Sequence, residues 1–482
     1  MVRPRAGRFI SSARCRGAPQ RGIPVTTTLE TKPHRAANAN ITEISGFDLG
    51  PEHEPDETNA PGRDRPLGFG RRLSRAGMAE LDLGRKKRRH IEALAYLLAE
   101  AWLGAREERR VSVSLNANYW TGMQHVFGPA STLAHVRGGL KLGQEVGLLE
   151  LRKAAANPRD ADGMQSTFAL TPEGSVFIGD TPAFERRELV SQSNLVRKRD
   201  HRKKYIGYTP DAFSRDRFAR LVPLNEMIAA IAIGTQDPRV RTYEDGRWII
   251  PEGRTDRYGN ARDHVVRSDA RTLHAVFNNA SWDQGGRTTG LFTMQLSKVL
   301  RRILTIDGEP VRLIDFSCSH PRIAYAQAGT RLEGDAYMIR GWEGERDLVK
   351  RALNTAINAS DRGAALASIA FRLVDPNAKR AGRRRTGLRP EAEHWCRAAH
   401  LLDTIVAHHD RIRKAFFTGA GLRFMRIEAD VMLDTMTAAH RRGVALLPTY
   451  DEFVVQKDRA SLTRELMLEH WHRIVGREGV VS

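Results

Sequence analysis

Apolar positions along the chain sort into helix-period and strand-period blocks only after a long irregular start. Up to Met78, Pro, Gly, Asn, Arg and Thr dominate and no periodic apolar face forms. Residues 1–78 are therefore expected to be a disordered basic tail. Met1 to Leu29 is rich in Arg and Ser and lacks acids, as transit peptides do. Pro4, Pro19 and Pro24 interrupt any amphipathic helix there, which favours a tail that touches nucleic acid. Order is expected from Arg85, where Arg85-Lys86-Lys87-Arg88-Arg89 leads into a helix with Ile91, Leu94, Leu98 and Trp102 on one face. A second helix reads over Thr132 to Gly143. Strands read at Val146 to Arg152 and Ser166 to Thr171, either side of a polar loop at Asn157 to Gly163. Later come a helix around Leu224 to Ile233 and an exposed strand–turn–strand near Thr242 to Pro251. Short strands follow at Ile303–Asp307 and Val311–Ile314, then at Val444–Thr449 and Phe453–Val455. Trp395, Leu401, Leu402 and Ile405 read as the core face of a helix, and a terminal helix with Leu462, Leu466 and Trp471 is expected to pack beneath a sheet.

Helix, strand, polar loop and strand ending in Thr-Pro-x-Gly resembles a winged helix, in which the hairpin is the wing; an ordinary helix-plus-hairpin subdomain fits the pattern equally well. A winged helix would lay one helix in a groove and its wing on phosphates. Residues 79–178 would form this domain. The runs Arg197-Lys198-Arg199 and His201-Arg202-Lys203-Lys204 fall in a basic linker, 179–215, which is either a phosphate contact or a solvated hinge. Lys379 to Arg385 reads as a mobile loop.

Composition narrows the class. The 482 residues carry 77 Lys+Arg against 57 Asp+Glu, a formal charge of +20, with 41% apolar residues. That is a globular chain, and arginine far outnumbering lysine favours a polyanionic partner. No apolar run approaches the roughly 20 residues of a spanning helix, so no membrane role is expected. Cys15, Cys318 and Cys396 are far apart, which excludes a disulfide framework or a Cys-type zinc site and fits a reducing, cytoplasmic setting. His394, His400, His408 and His409 show no coherent ligand spacing, and zinc is not expected.

The candidate chemistry lies in the last third. Val311 to Ile314 runs into Asp315-Phe316-Ser317-Cys318-Ser319-His320-Pro321-Arg322, which puts a carboxylate at a sheet rim. Asp451, 136 residues later, lies between two strands in Tyr450-Asp451-Glu452. Two such carboxylates repel unless metal ions neutralise them, and a pair flanking one or two Mg2+ suits in-line phosphoryl or nucleotidyl transfer. Singly, Asp315 reads as a helix N-cap and Asp451 as an acidic turn. Arg346, Lys350, Asn354 and Asn358, at steps of four, share one face of a helix; such a stripe suits a triphosphate or is simply solvated.

In this order the elements resemble the family A DNA polymerases and the related single-subunit phage-type RNA polymerases, over about Arg271 to Gly476. Asp315-Phe316-Ser317 with His320 and Arg322 is similar to their first palm motif, Asp-Tyr-Ser…Glu-x-Arg. Arg346-x-x-x-Lys350 resembles the start of their fingers helix, Tyr450-Asp451-Glu452 their third motif, and Gly285-Gly286-Arg287-Thr288-Thr289 a Thr-Gly-Arg segment that contacts the duplex. The helix from Arg426 through Ile427, Val431 and Met436 also has a counterpart. The resemblance implies an α+β chain: a winged-helix-like domain, then a helical thumb-like region at 216–305, then an antiparallel-sheet palm with reduced fingers at 306–482. It implies that Asp315 and Asp451 hold two Mg2+ (or Mn2+) ions, with the Phe316 carbonyl as an extra ligand. Lys350 would bind the incoming triphosphate and protonate pyrophosphate, and Arg346 would hold the outer phosphates. Asn354 and His320 would line the nucleotide, while Gln284, Arg287 and Arg322 would contact primer–template DNA. The partners implied are duplex or primer–template DNA and nucleoside triphosphates.

There are departures. Asn354 and Asn358 stand where the families place an aromatic residue and a Tyr. His320 replaces the Glu that screens the ribose 2′-hydroxyl, and Tyr450 replaces a His, which leaves DNA against RNA synthesis undecided. No acidic exonuclease motifs are found upstream. Two further readings stay open: a non-enzymatic winged-helix replication initiator or regulator with a degenerate palm, and a nuclease using the same carboxylates.

Overall fold

The computed structural model describes residues 65–482, apart from 68, 82, 85, 108, 154–165, 181, 183, 187–190, 244–245, 256–260 and 375–388. The expectations for residues 1–64, for the 157–163 loop and for the 379–385 patch lie outside the described residues. The chain is mixed α+β, with two hydrophobic cores and several antiparallel sheets.

The first core is built from β1 (Arg65–Pro66), β2 (Arg71–Leu73), α1 (Arg88–Arg106), β3 (Val111–Val113), the short α2 (Ala117–Trp120) and α3 (Met123–Phe127), α4 (Leu133–Glu145), β4 (Leu149–Arg152), β5 (Ser166–Leu170) and β6 (Phe184–Arg186). Leu94, Leu97 and Leu98 are wholly buried, and α1 is enclosed on all sides from Ala93 to Gly104. Helix α4 starts where the Thr132 hydroxyl accepts from the His135 N–H. It lies close against α1 because Gly139 carries no Cβ; one would come within 2.9 Å of the Leu94 nitrogen. The sheet order is β1-β3-β5-β4, with β3 and β4 both antiparallel to β5.

Order thus begins before the expected boundary at residue 78. Leu67, Phe69 and Leu73 belong to this core, and the Phe69 ring sits 5.5 Å from that of Tyr96 and 5.9 Å from Trp120. These apolar residues are too sparse to give a period, but Phe69 finds ring partners on both α1 and α2.

The basic linker is also corrected. β7 (Val196–Arg199) is an inner strand of a four-stranded sheet, between the edge strand β8 (Tyr205–Ile206) and β13 (Arg271–Phe277), with β14 (Gly285–Leu291) beyond β13. Arg197 and Arg199 are buried. Arg197 lies over the Phe127 ring, and Arg199 donates to the Tyr205 hydroxyl at 2.7 Å. Lys198, on the other face, sits 3.7 Å from the centre of the Trp282 ring. Aromatic faces receive these cations, so a charge run folds as a strand.

Residues 216–305 are not mainly helical. The long helix here, α5 (Ala212–Ala230), starts at an Asp211–Ser214 capping box. Strands follow: β9 (Ile233–Thr235), β10 (Arg241–Thr242), β11 (Arg247–Thr255), β12 (Ala261–Arg267), β13 (Arg271–Phe277) and β14 (Gly285–Leu291). The strand–turn–strand expected as exposed buries Trp248 and Ile250.

The second core surrounds the antiparallel sheet β17-β18-β16-β15-β9. It uses β15 (Leu304–Ile306), β16 (Glu309–Asp315), α6 (Ser319–Gln327), α7 (Arg346–Asn358), α8 (Arg362–Val374), α9 (Ala392–His408), α10 (Gly421–His440), β17 (Leu447–Thr449), β18 (Glu452–Gln456) and α11 (Ala460–Val475). Phe453, Val454 and Val455 are wholly buried, as a continuous apolar strand covered on both faces must be. Trp471 of α11 packs under the sheet with its ring 4.7 Å from Phe316. Leu401, Leu402 and Ile405 of α9 are core residues. Among the described residues no helix is long and apolar enough to cross a membrane.

Candidate active site

β16 and β18 pair so that Asp315 faces Glu452 and Ile314 faces Phe453. Asp315 is the last residue of its strand. Asp451 lies one step before the other strand, in the two-residue turn Tyr450-Asp451 that closes on the Thr449–Glu452 pair. The Phe316 N–H donates to the Asp451 carbonyl at 3.2 Å, so carboxylates 136 residues apart abut at one rim. The chain's last residues brace this rim: Ser482 and Asp315 exchange backbone hydrogen bonds at 2.9 and 3.3 Å. Both turns beside the carboxylates hold a non-glycine residue in the left-handed region, Cys318 at φ 56° and Tyr450 at φ 63°. Such a conformation costs on the order of 1–3 kcal/mol and persists only where packing imposes it.

The site is charged on every side. Burial, then the Asp451 charge, push the Asp315 carboxyl up to about 6, against the pull of Lys298. Burial, then Glu428, push Asp451 up to about 6, opposed by Arg287 and Lys350. Lys298 places its ammonium 3.0 Å from Asp315 and 3.1 Å from Glu452, and Arg301 holds the other Glu452 oxygen at 2.9 Å. Glu428, wholly buried on α10, accepts from Arg287 at 2.6 Å and from the Ser319 hydroxyl at 2.9 Å. The same hydroxyl lies 3.3 Å from Asp451. His320 stands 3.6 Å from Glu428 and 3.4 Å from Arg287. Burial, with Arg287 nearby, holds its pKa down at about 3, so the imidazole is neutral near pH 7.

Helix α7 brings its first turns to this rim. Arg346 and Lys350 are exposed, and the Lys350 charge is felt at Asp451. Arg346 donates to Asp335 at 2.8 Å. Asn358 turns back to the Asn354 carbonyl at 2.8 Å and packs against Gly421, where a Cβ would collide with it.

Of the residues expected at the site, Asp315, Asp451, His320, Arg287 and Lys350 are linked by these contacts and charges, Arg346 stands one turn before Lys350, and Phe316 packs beneath. Three are not. Asn354 is half-buried and gives its carbonyl to Asn358 within α7. Arg322 is buried and spends its guanidinium on the carbonyls of Ser317, Leu332 and Gly334 at 2.9, 3.2 and 3.0 Å, so it clamps a loop instead of meeting DNA. The Gln284 side chain accepts from Asn279 at 2.6 Å within the β13–β14 turn. Arg287 turns inward to Glu428 instead of outward to a phosphate track. Sequence reasoning misses Glu428, Lys298 and Ser319. Only Glu428 leaves a signal: an acid on the buried stripe of Phe424, Val431 and Thr435.

Among the described residues no three His, Cys, Asp or Glu side chains converge to hold a metal unaided. Asp315 and Asp451 nevertheless bring two hard carboxylate donors to one rim. Mg2+ commonly takes one or two carboxylates and completes its shell with water and substrate phosphate. The set fits Mg2+ or Mn2+, with Lys298 as the cation that a metal would displace from Asp315.

No protein-family model matches the chain, and no curated protein does. Among solved structures, the POL domain of Pol1 from M. smegmatis, in complex with DNA primer-template and dNTP, is similar over 45% of this chain and 48% of that one, at 13% identity and a TM-score of 0.24. The chain therefore matches about half the length of that domain, and the functional argument rests on the site's own residues.

Proposed function

We propose that the chain is a divalent-metal-dependent, template-directed nucleotidyltransferase. What carries the reading is the abutment of Asp315 and Asp451 at the rim of one antiparallel sheet, both held above the usual carboxylate range, beneath a helix that begins Arg346-x-x-x-Lys350. Asp315, Asp451 and the Phe316 carbonyl would hold the metal ions. Bound there, the metals would supply charge neutralisation and Lewis acidity at the reacting phosphate. Arg346 and Lys350 would take the outer phosphates, and Lys350 would give its proton to the departing pyrophosphate. Glu428 keeps Arg287 and Ser319 aimed at Asp451, so the carboxylate is oriented before substrate arrives; such preorganisation is where phosphoryl-transfer enzymes gain most. Neutral His320 would meet the sugar by bulk and not by charge.

Residues 88–170 run helix, strand, two short helices, helix, strand, strand, which supports a winged-helix reading in which α2 and α3 together stand for the middle helix. We read α4 as its groove helix, with exposed Arg137 and Lys141 toward DNA. The test is incorporation on a labelled primer–template with dNTPs and rNTPs offered separately, in Mg2+ or Mn2+. Wild type should extend the primer and reveal its sugar preference, and Asp315→Asn and Asp451→Asn should not.

A second reading has one observation in its favour: Lys298 already neutralises Asp315 and Glu452. The protein would then be a DNA-binding initiator or regulator with a silent palm. Wild type would bind duplex DNA tightly, extend nothing, and bind equally well as Asp315→Ala.

A further inference from the structure

The loop between α6 and α7 sends a tyrosine into the site. Tyr337 is only 4% exposed, although its neighbours Arg346 and Lys350 are on the surface. The Arg346 guanidinium lies 5.2 Å from the centre of its ring and the Lys350 ammonium 5.7 Å, so one aromatic ring receives both cations. Asp335 fixes the arrangement: it accepts from the Tyr337 N–H at 2.9 Å, from Arg346 at 2.8 Å and from the Cys318 thiol at 3.5 Å. One carboxylate thus ties the loop to α7 and to the turn after Asp315. Burial, with Cys318 and Asp451 nearby, drives the Tyr337 hydroxyl well above its ordinary range, so the ring stays neutral beside the carboxylates. Helix α7 has no aromatic of its own on this face, where Asn354 and Asn358 follow Lys350.

We infer that Tyr337 is a positioning residue: its ring is the platform that holds Arg346 and Lys350 poised for a nucleoside triphosphate. The inference rests on the nucleotidyltransferase reading. Arginine and lysine side chains lose rotamer freedom when they grip a phosphate. A platform that orders them beforehand lowers that cost, so its loss falls on triphosphate binding and spares primer–template binding.

The experiment uses full-length protein: equilibrium dialysis of tritiated dTTP and UTP with Mg2+, and steady-state incorporation on a saturating primer–template. Tyr337→Leu should weaken triphosphate binding and raise the triphosphate KM by about tenfold, with kcat within about threefold, since each cation over a ring is worth a few-fold to thirtyfold. Tyr337→Phe, which keeps the ring, should stay within about twofold of wild type. Thermal melting of both variants checks folding. Leucine and phenylalanine variants with the same KM, or a leucine variant that loses kcat alone, would overturn the inference while leaving the nucleotidyltransferase standing. A wild-type protein that neither binds nor incorporates a triphosphate would remove both.

Discussion

The two cores bury different things. The first, around α1 and α4, is closed by leucines, aromatic edges and glycine-enabled contact; its buried charges are scattered, Glu100 on α1 and the Arg197 and Arg199 guanidinium groups against the Phe127 and Tyr205 rings, while Arg137 and Lys141 stay on the surface. The second encloses a polar knot: Glu428 is wholly buried with Arg287, and Asp451 and His320 press on them. A core of the first kind makes a shape and turns Arg137 and Lys141 outward. A core of the second kind spends stability on burying charge, which apolar residues of equal volume would match or exceed. That expenditure, placed beside two mutually repelling carboxylates, is what marks the second region as chemical.

The comparison is tested most severely at the buried pair. Arg287→Met leaves the Glu428 carboxylate without its main partner and should destabilise the protein by about 3–5 kcal/mol, while the double variant Arg287→Met/Glu428→Met should recover much of the loss. Urea unfolding of the three proteins checks this, and additive effects would contradict it. In the first core the corresponding lesion is steric. Gly139→Val forces α4 away from Leu94 and should cost about 1–3 kcal/mol and weaken DNA binding, with incorporation at saturating DNA retained.

Acid stability separates the regions next. The folded protein holds protons on Asp315 and Asp451 up to about pH 6, whereas the unfolded chain releases them near the ordinary value of 3.8. Stability should therefore fall as pH rises from about 4 to 6 and then level off. Asp315→Asn should be more stable than wild type by about 1–2 kcal/mol at pH 7.5 and no more stable at pH 4, after allowance for partial solvent exposure. Urea midpoints across that range would show it, and a constant offset would rule out the raised carboxyls. The smallest effect belongs to the outer face: Arg137→Ala should weaken duplex binding only several-fold and lower the salt slope by about one, with no change in stability beyond about 0.5 kcal/mol.

What could be read from the sequence follows the same division. The strands β15 to β18 fall where apolar runs and turn residues put them, and Asp315 and Asp451 stand out because each ends or precedes a run. Period alone found α1 and α4. Helix α7 was legible from its spacing, but the ring beneath it was not, because Tyr337 arrives from a loop whose residues have no period. Lys298 was invisible for a similar reason: it belongs to a four-residue helix, Lys298–Arg301, whose only distinction is where β15 and β16 leave it. The run at Arg197 to Arg199 misled because charge usually means solvent. Here the guanidinium groups lie over Phe127, which comes from the distant α3, and over Tyr205, which stands opposite Arg199 on the paired strand β8.

The most direct measurement is single-nucleotide incorporation and primer–template affinity, taken side by side in Mg2+ for wild type, Asp315→Asn and Asp451→Asn. Incorporation by wild type that falls at least about a thousandfold in either variant, at unchanged DNA affinity, is the predicted result. Equal inertness of all three proteins on DNA that they all bind would contradict the account.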